Sequence, residues 1–243
     1  TYQETAPISM RGSLQDIRSG TISNLEGTGR EVQAIAEHFG GEFVLSAAAT
    51  EAAFKEKAPA FDLLHLAMHG EADFENPNFG NLIFTDLDNP KEEDHRLYHY
   101  EIATMQLQAQ LVVLSACETG IGRYEAGEGV FSLARSFMYA GVPSVAMSLW
   151  KVNDQSTSDL MARFYQELAA GKPKAAALQD SKAAYLEASR IRYRHPYYWA
   201  GFVLLGDSRP LKAASPLNWL WIAAVPALLL FAGVFIWVRK KQG

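Results

Sequence analysis

Two residues in this chain have the types and the placement to do covalent chemistry, Cys117 and His69. Cys117 is the single cysteine of the 243 residues. A thiol is a weak nucleophile until it ionises, and a neighbouring imidazole is the usual means of removing its proton near neutral pH. Each residue follows a short apolar run. Leu111 to Leu114 has the length and β-branched content of a buried parallel strand. It delivers Cys117 to the strand's carboxyl end, ahead of a loop containing Gly120, Gly122, Gly127 and Gly129. Asp62 to Ala67 is a second such run and stops at Met68-His69-Gly70. If the two strands are parallel neighbours, imidazole and thiol emerge side by side in the crevice where open α/β sheets place their ligands. The plain alternatives are a small buried hydrophobe for Cys117 and a satisfied core histidine for His69.

The elements that must position this pair follow a β-α-β rhythm, which favours a parallel sheet. Val32, Ile35, Ala36 and Phe39 recur at helical spacing over Arg30 to Phe39, and Gly40-Gly41 ends that helix. Glu42 to Leu45 reads as a short strand, and Thr50 as the N-cap of a helix through Ala58, stopped by Pro59. Strands are expected at Leu82 to Phe84, Ser144 to Trp150 and Trp199 to Leu205, the last ended by Gly206. Helices are expected at Tyr100 to Gln106, Gly127 to Ala140 (closed by Gly141), Ser156 to Ala170 and Pro173 to Arg190. Glu71 to Asn81 and the acidic Asp86 to Asp94 read as loops. Trp150, Tyr197, Tyr198 and Trp199 are expected as core and pocket-wall aromatics.

His65-Leu-Ala-Met-His69-Gly70 followed by Leu114-Ser-Ala-Cys117-Glu-Thr-Gly120 resembles the CHAT family of caspase-like (clan CD) cysteine peptidases. Ser148-Leu-Trp150-Lys-Val-Asn-Asp154-Gln-Ser-Thr157, Phe164-Tyr165 and His195-Pro-Tyr-Tyr-Trp199-Ala-Gly-Phe202-Val-Leu-Leu-Gly206-Asp207 agree with that family in the same order. Met68 stands where a threonine is commoner. The resemblance implies a caspase-like α/β fold with about six mostly parallel strands between helices. It also implies a cysteine endopeptidase with Cys117 as nucleophile and His69 as general base, acting on a protein substrate. The oxyanion donors it implies are the backbone N–H groups of Gly70 and Cys117, and glycine lets a substrate carbonyl approach closely. Relatives in the wider clan often carry an acidic residue two before the cysteine, where Ser115 stands here. Asp154 resembles the acidic position that pairs with a basic P1 side chain in separase-like members. Its competing reading is the cap of a helix starting near Ser156, with Ser156 and Thr157 as rivals. Helical tetratricopeptide repeats upstream are a further implication, although no repeat of about 34 residues is present in this chain.

Composition narrows the classes. Hydrophobic residues make up 49% and charged residues 20%, enough for one α/β domain with a full core plus an appendage. The net charge of −5 offers no basic surface for nucleic acid. One cysteine excludes an intrachain disulfide framework. No metal site and no cofactor is expected. His65 and His69 have the spacing of a zinc helix but lack the intervening glutamate, and His95 and His99 have no carboxylates placed to help them. Gly120-Ile-Gly122 is a weak dinucleotide signal, with Glu125 where a third glycine would fall.

Residues 219–238 differ in kind. Twenty residues carry no charge there, and at about 1.5 Å rise each they span about 30 Å, the hydrocarbon thickness of a bilayer. Trp219, Trp221 and Trp237 lie near the ends, Pro226 is tolerable inside, and Arg239-Lys240-Lys241 terminates the run. The organisation expected is a lead-in over 1–28, a peptidase domain over 29–210, a juxtamembrane linker over 211–218, a transmembrane helix over 219–238 and a basic tail over 239–243. The chain opens at Thr1 without a signal-peptide pattern, so an upstream domain is expected. The positive tail places itself in the cytoplasm and the domain outside if an export signal lies upstream; otherwise the domain stays in the cytosol. The expected function is a membrane-anchored cysteine endopeptidase cleaving a partner protein after a basic P1 residue. Its rivals are a catalytically silent, tethered interaction scaffold and a thiol acyltransferase using the same dyad.

Overall fold

The computed structural model describes residues 28–71, 79–85, 95–115, 132–150 and 152–212. Within them the strands are β1 (Leu63–Leu66), β2 (Gly70–Glu71), β3 (Asn81–Ile83), β4 (Arg96–Tyr98), β5 (Leu111–Leu114), β6 (Ser144–Ser148) and β7 (Phe202–Gly206). The helices are α1 (Thr28–His38), α2 (Glu51–Lys57), α3 (His99–Thr104), α4 (Ser132–Tyr139), α5 (Asp154–Ala169) and α6 (Lys174–Ala188). The expected single sheet of about six strands is corrected here. The described strands form a four-stranded sheet of order β1-β5-β6-β7 and a separate three-stranded antiparallel sheet of order β2-β3-β4.

In the larger sheet β1, β5 and β6 are parallel, and β7 closes the edge antiparallel to β6. The reason lies in the connection. One crossover helix returns the chain to the amino edge and yields a parallel strand. Here β6 is followed by two helices, α5 and α6, joined by a tight turn through Gly171 at φ 80°. The second helix brings the chain back to the carboxyl edge, so β7 must run the other way.

β5 and β6 are buried along their whole length, as apolar strands covered on both faces must be. Val112, Leu114, Val145 and Met147 pack on one side with Phe137 of α4, Ile102 of α3, and Leu82 and Leu97 of the small sheet. Leu111, Val113 and Ala146 pack on the other with Ile35 of α1, Leu160, Phe164 and Tyr165 of α5, and Ala177 and Leu178 of α6. The period-2 alternation of the strands thus separates two cores.

Local expectations fared unevenly. Thr50 caps α2 by accepting a hydrogen bond from the Ala53 N–H (3.2 Å), but Pro59 does not stop the chain's winding, which continues as a 3₁₀ turn over Ala58–Ala60. Glu42 to Leu45 is irregular and pairs with no strand among the described residues. Gly141 ends α4 at φ 105°, where a Cβ would meet the Leu107 carbonyl at 2.9 Å. Residues 127–131 and the proposed transmembrane segment 219–238 lie outside the described residues. Among the described residues no helix is long and apolar enough to cross a membrane.

Candidate functional site

Because β1, β5 and β6 are parallel, their carboxyl ends share one edge of the sheet, and the chemistry-bearing residues follow those ends. Leu66 of β1 lies opposite Leu114 of β5, and the ladder continues one step with the Ser115 N–H donating to the Leu66 carbonyl (3.1 Å). His69 stands three residues past Leu66, and Cys117 the same number past Leu114. His69 and Gly70 are half-buried at this edge. Cys117, with its backbone N–H, lies outside the described residues.

The backbone around His69 is held by the small sheet. Ile83 N–H donates to the His69 carbonyl (2.9 Å), and Gly70 pairs with Leu82. In an antiparallel ladder, hydrogen-bonded and non-hydrogen-bonded pairs alternate. With His69 opposite Ile83 as the bonded pair, Gly70 falls on the non-bonded one, and its N–H is left out of the β2–β3 ladder. An oxyanion donor needs that freedom.

Ser115 is 3% exposed, and its hydroxyl has no hydrogen-bond partner among the described residues. Leaving such a group unpaired costs on the order of 1–3 kcal/mol. On the next strand, β6 ends at Ser148 and the chain enters α5 at Asp154. The cap reading of Asp154 is corrected: Asn153 is the N-cap, its side chain accepting from the Ser156 N–H (3.2 Å). Ser156 and Thr157 are buried inside the helix instead of capping it. Asp154 is therefore the first helical residue, where the helix dipole favours a carboxylate.

Gly201 and Trp150 show why the exit of β6 is built as it is. Leu149 N–H donates to the Gly201 carbonyl (2.8 Å), and a Cβ on Gly201 would meet Trp150 Cε2 at 2.9 Å. The Trp150 indole N–H donates to the Tyr197 carbonyl (2.9 Å), and the Trp199 indole N–H to that of Arg194 (3.0 Å). Tyr198 and Trp199 pack against the second core, while Tyr197 is exposed.

His65 is no metal ligand in waiting. Its Nδ1 lies 2.8 Å from the Tyr165 hydroxyl and its Nε2 3.0 Å from Glu31 Oε2. Glu31 and Tyr165 are both fully buried, and burial pushes the Tyr165 phenol well above its ordinary range. This Glu31–His65–Tyr165 chain ties α1 and α5 to β1, the strand that leads to His69. Sequence reasoning read α1 by its apolar stripe and missed the glutamate beside it; no local signal marks a buried carboxylate. His99 is buried in the first turn of α3, and His95 takes a left-handed φ of 61°. Among the described residues no group of three or more His, Cys, Asp or Glu side chains is placed to hold a metal ion.

Lys174 and Lys182 of α6 reach back to β7 and its exit. Lys182 Nζ donates to the Phe202 carbonyl (2.6 Å), and the buried Lys174 to that of Asp207 (3.1 Å). Desolvation lowers the pKa of both. Hydrogen bonds from the Arg209 side chain to both carboxylate oxygens, and one from its backbone N–H, hold the Asp207 carboxyl down at about 2.

A stretch of 130 residues, 54% of this chain, is 32% identical to Tetratricopeptide repeat protein 28 of Homo sapiens, covering 5% of that protein. A stretch of 117 residues, 48% of the chain, is 32% identical to the Mus musculus protein of the same name, again 5% of its length. The chain thus matches only a small part of these curated relatives. Among solved structures, one chain of the complex of Porphyromonas gingivalis RgpB pro- and mature domains aligns with a TM-score of 0.48 at 14% identity. That alignment covers 83% of this chain and 46% of the other. Residues 3–207 match the family of the CHAT domain, and with the strands, helices and strand-end residues above all inside that span, the chain belongs to the CHAT family.

Proposed function

We propose that this chain is a caspase-like cysteine endopeptidase domain that cleaves a partner protein, with Cys117 and His69 as its dyad. The observation that carries the reading is the parallel register of β1 and β5, from which both residues stand three positions beyond paired strand ends. In the proposed reaction His69 takes the thiol proton, and the Cys117 sulfur attacks the scissile carbonyl. The backbone N–H groups of Gly70 and Cys117 receive the developing oxyanion. His69 then hands its proton to the leaving amine, and a water molecule hydrolyses the thioester. Asp154, at the start of α5 beyond the neighbouring strand, is proposed to pair with a basic P1 side chain, as a carboxylate in a pocket would. Residues 219–238 are proposed as a single-pass anchor, with the side of the membrane set by what precedes the domain.

The test is covalent labelling of the full chain by an acyloxymethyl-ketone probe with Arg at P1. Labelling is expected at Cys117 and lost in both Cys117→Ala and His69→Ala. Labelling that survives in Cys117→Ala overturns the reading. No labelling of the unsubstituted chain favours the silent, tethered interaction scaffold.

A further inference from the structure

At the end of the α5–α6 hairpin nearest the carboxyl edge of the sheet lies an open recess of about 220 Å³. Its walls include Ser156, Asp159 and Arg163 of α5, Tyr185 of α6, and Arg190 and Tyr193 of the segment that follows. The protein as a whole carries a net charge of −5, yet here two guanidinium groups face one carboxylate. That carboxylate is already occupied: Gln155 Nε2 donates to Asp159 Oδ1 (2.9 Å). Neighbouring arginines are likewise committed. Arg192 donates to the Tyr193 hydroxyl (2.7 Å) and covers its ring, and Arg194 donates to the Ser189 carbonyl (3.1 Å). Arg163 and Arg190, among the described residues, have no ion pair or hydrogen bond to their side chains. Beside them, the Tyr185 hydroxyl lies 2.9 Å from Ser156 Oγ and 3.4 Å from the Tyr193 carbonyl oxygen.

We propose that this recess binds the carboxylates of an acidic peptide segment of a partner protein. Two uncommitted guanidiniums form a donor set for carboxylate oxygens, and arginine meets carboxylates with two parallel hydrogen bonds. The volume is below the roughly 300–1,000 Å³ of pockets for drug-sized ligands. It therefore suits one or two side chains of a chain lying across the surface. Asp159 in the wall disfavours a phosphate dianion relative to singly charged carboxylates. The wall begins one residue after Asp154, so a segment seated here runs beside the proposed cleavage site. The inference rests on the recess and not on the peptidase reading.

The experiment uses the full chain carrying Cys117→Ala, so that cleavage plays no part. Fluorescence anisotropy follows a fluorescein-labelled peptide of six glutamates flanked by glycine and serine. Saturable binding that weakens with added salt is expected, falling about tenfold or more in the Arg163→Gln/Arg190→Gln double variant. Lys57→Gln, remote from the recess, is expected to bind as the parent does, and Arg190→Gln alone is expected to give an intermediate loss. Absence of saturable binding, or equal affinity in the double variant and its parent, overturns the proposal. Equal binding of a six-lysine peptide, or displacement by millimolar inorganic phosphate but not by free glutamate, overturns it also.

Discussion

The two faces of the four-stranded sheet are stabilised in different ways. On the face of α3, α4 and the small sheet, the strand side chains meet apolar partners, Leu64, Leu66, Val112, Leu114, Val145 and Met147 against Phe137, Leu133 and Ile102, while Asn81, His99 and Ser136 are the buried polar residues of those elements. On the face of α1, α5 and α6, the apolar core is interrupted by buried polar groups, among them Glu31, Ser156, Lys174 and Ser181, with His65 and Tyr165 bonded to each other. The difference teaches what each face is for. Apolar packing is insensitive to direction and tolerates small shifts, whereas a buried polar chain holds only in one geometry and destabilises the fold if broken. The second face grips the strand that leads to His69, and it does so with hydrogen-bonded polar groups.

Three substitutions test that contrast, beginning with the largest effect. Phe137 is fully buried, and Phe137→Ala is expected to cost about 3–5 kcal/mol in urea unfolding, with the pH profile of stability unchanged. A loss below about 1 kcal/mol would mean that the first face is not a close-packed core. Tyr165→Phe keeps the ring but leaves His65 Nδ1 without its partner, at an expected cost of about 1–3 kcal/mol. This variant should also alter the alkaline limb. The folded phenol is held protonated well above the ordinary value of 10.0, while the unfolded chain releases its proton near that value. Above it the unfolded state binds fewer protons than the folded one, so stability falls as pH rises. The stabilising contribution is full below about 10 and is lost above it, and Tyr165→Phe should flatten that decline in denaturation curves taken from pH 8 to 11. An unchanged alkaline slope would show that the buried chain does not govern it. Smallest of all, Lys57→Gln removes an exposed ion pair with Glu42 and is expected to leave the thermal midpoint where it was.

Much of the scaffold was legible before any coordinates. Leu111 to Leu114 and Ser144 to Ser148 announce buried strands because an all-apolar run flanked by turn residues has few other places to go. The caps were readable where they depend on one side chain, as at Thr50, and misread where three neighbours compete, as at Asn153, Asp154 and Ser156. The split into two sheets was not legible. Gly70–Glu71 and Arg96–Tyr98 are too short for periodicity to register, and they become strands only because Asn81–Ile83 lies between them. At the candidate site, His69 and Gly70 could be read from the end of an apolar run. That the Gly70 N–H escapes the ladder depends on a register that only pairing sets.

By itself the sequence determined which segments are apolar enough to be buried and which strand ends lead to the imidazole and the thiol, because composition and spacing are local properties, and its motifs carried the resemblance to the CHAT family. The tertiary structure alone decided that β7 runs antiparallel and that Glu31 and Tyr165 meet at His65. It alone decided, too, that Arg163 and Arg190 share one recess. Each of these joins residues far apart in the chain, and only the packing of helices on a sheet chooses which distant groups become neighbours.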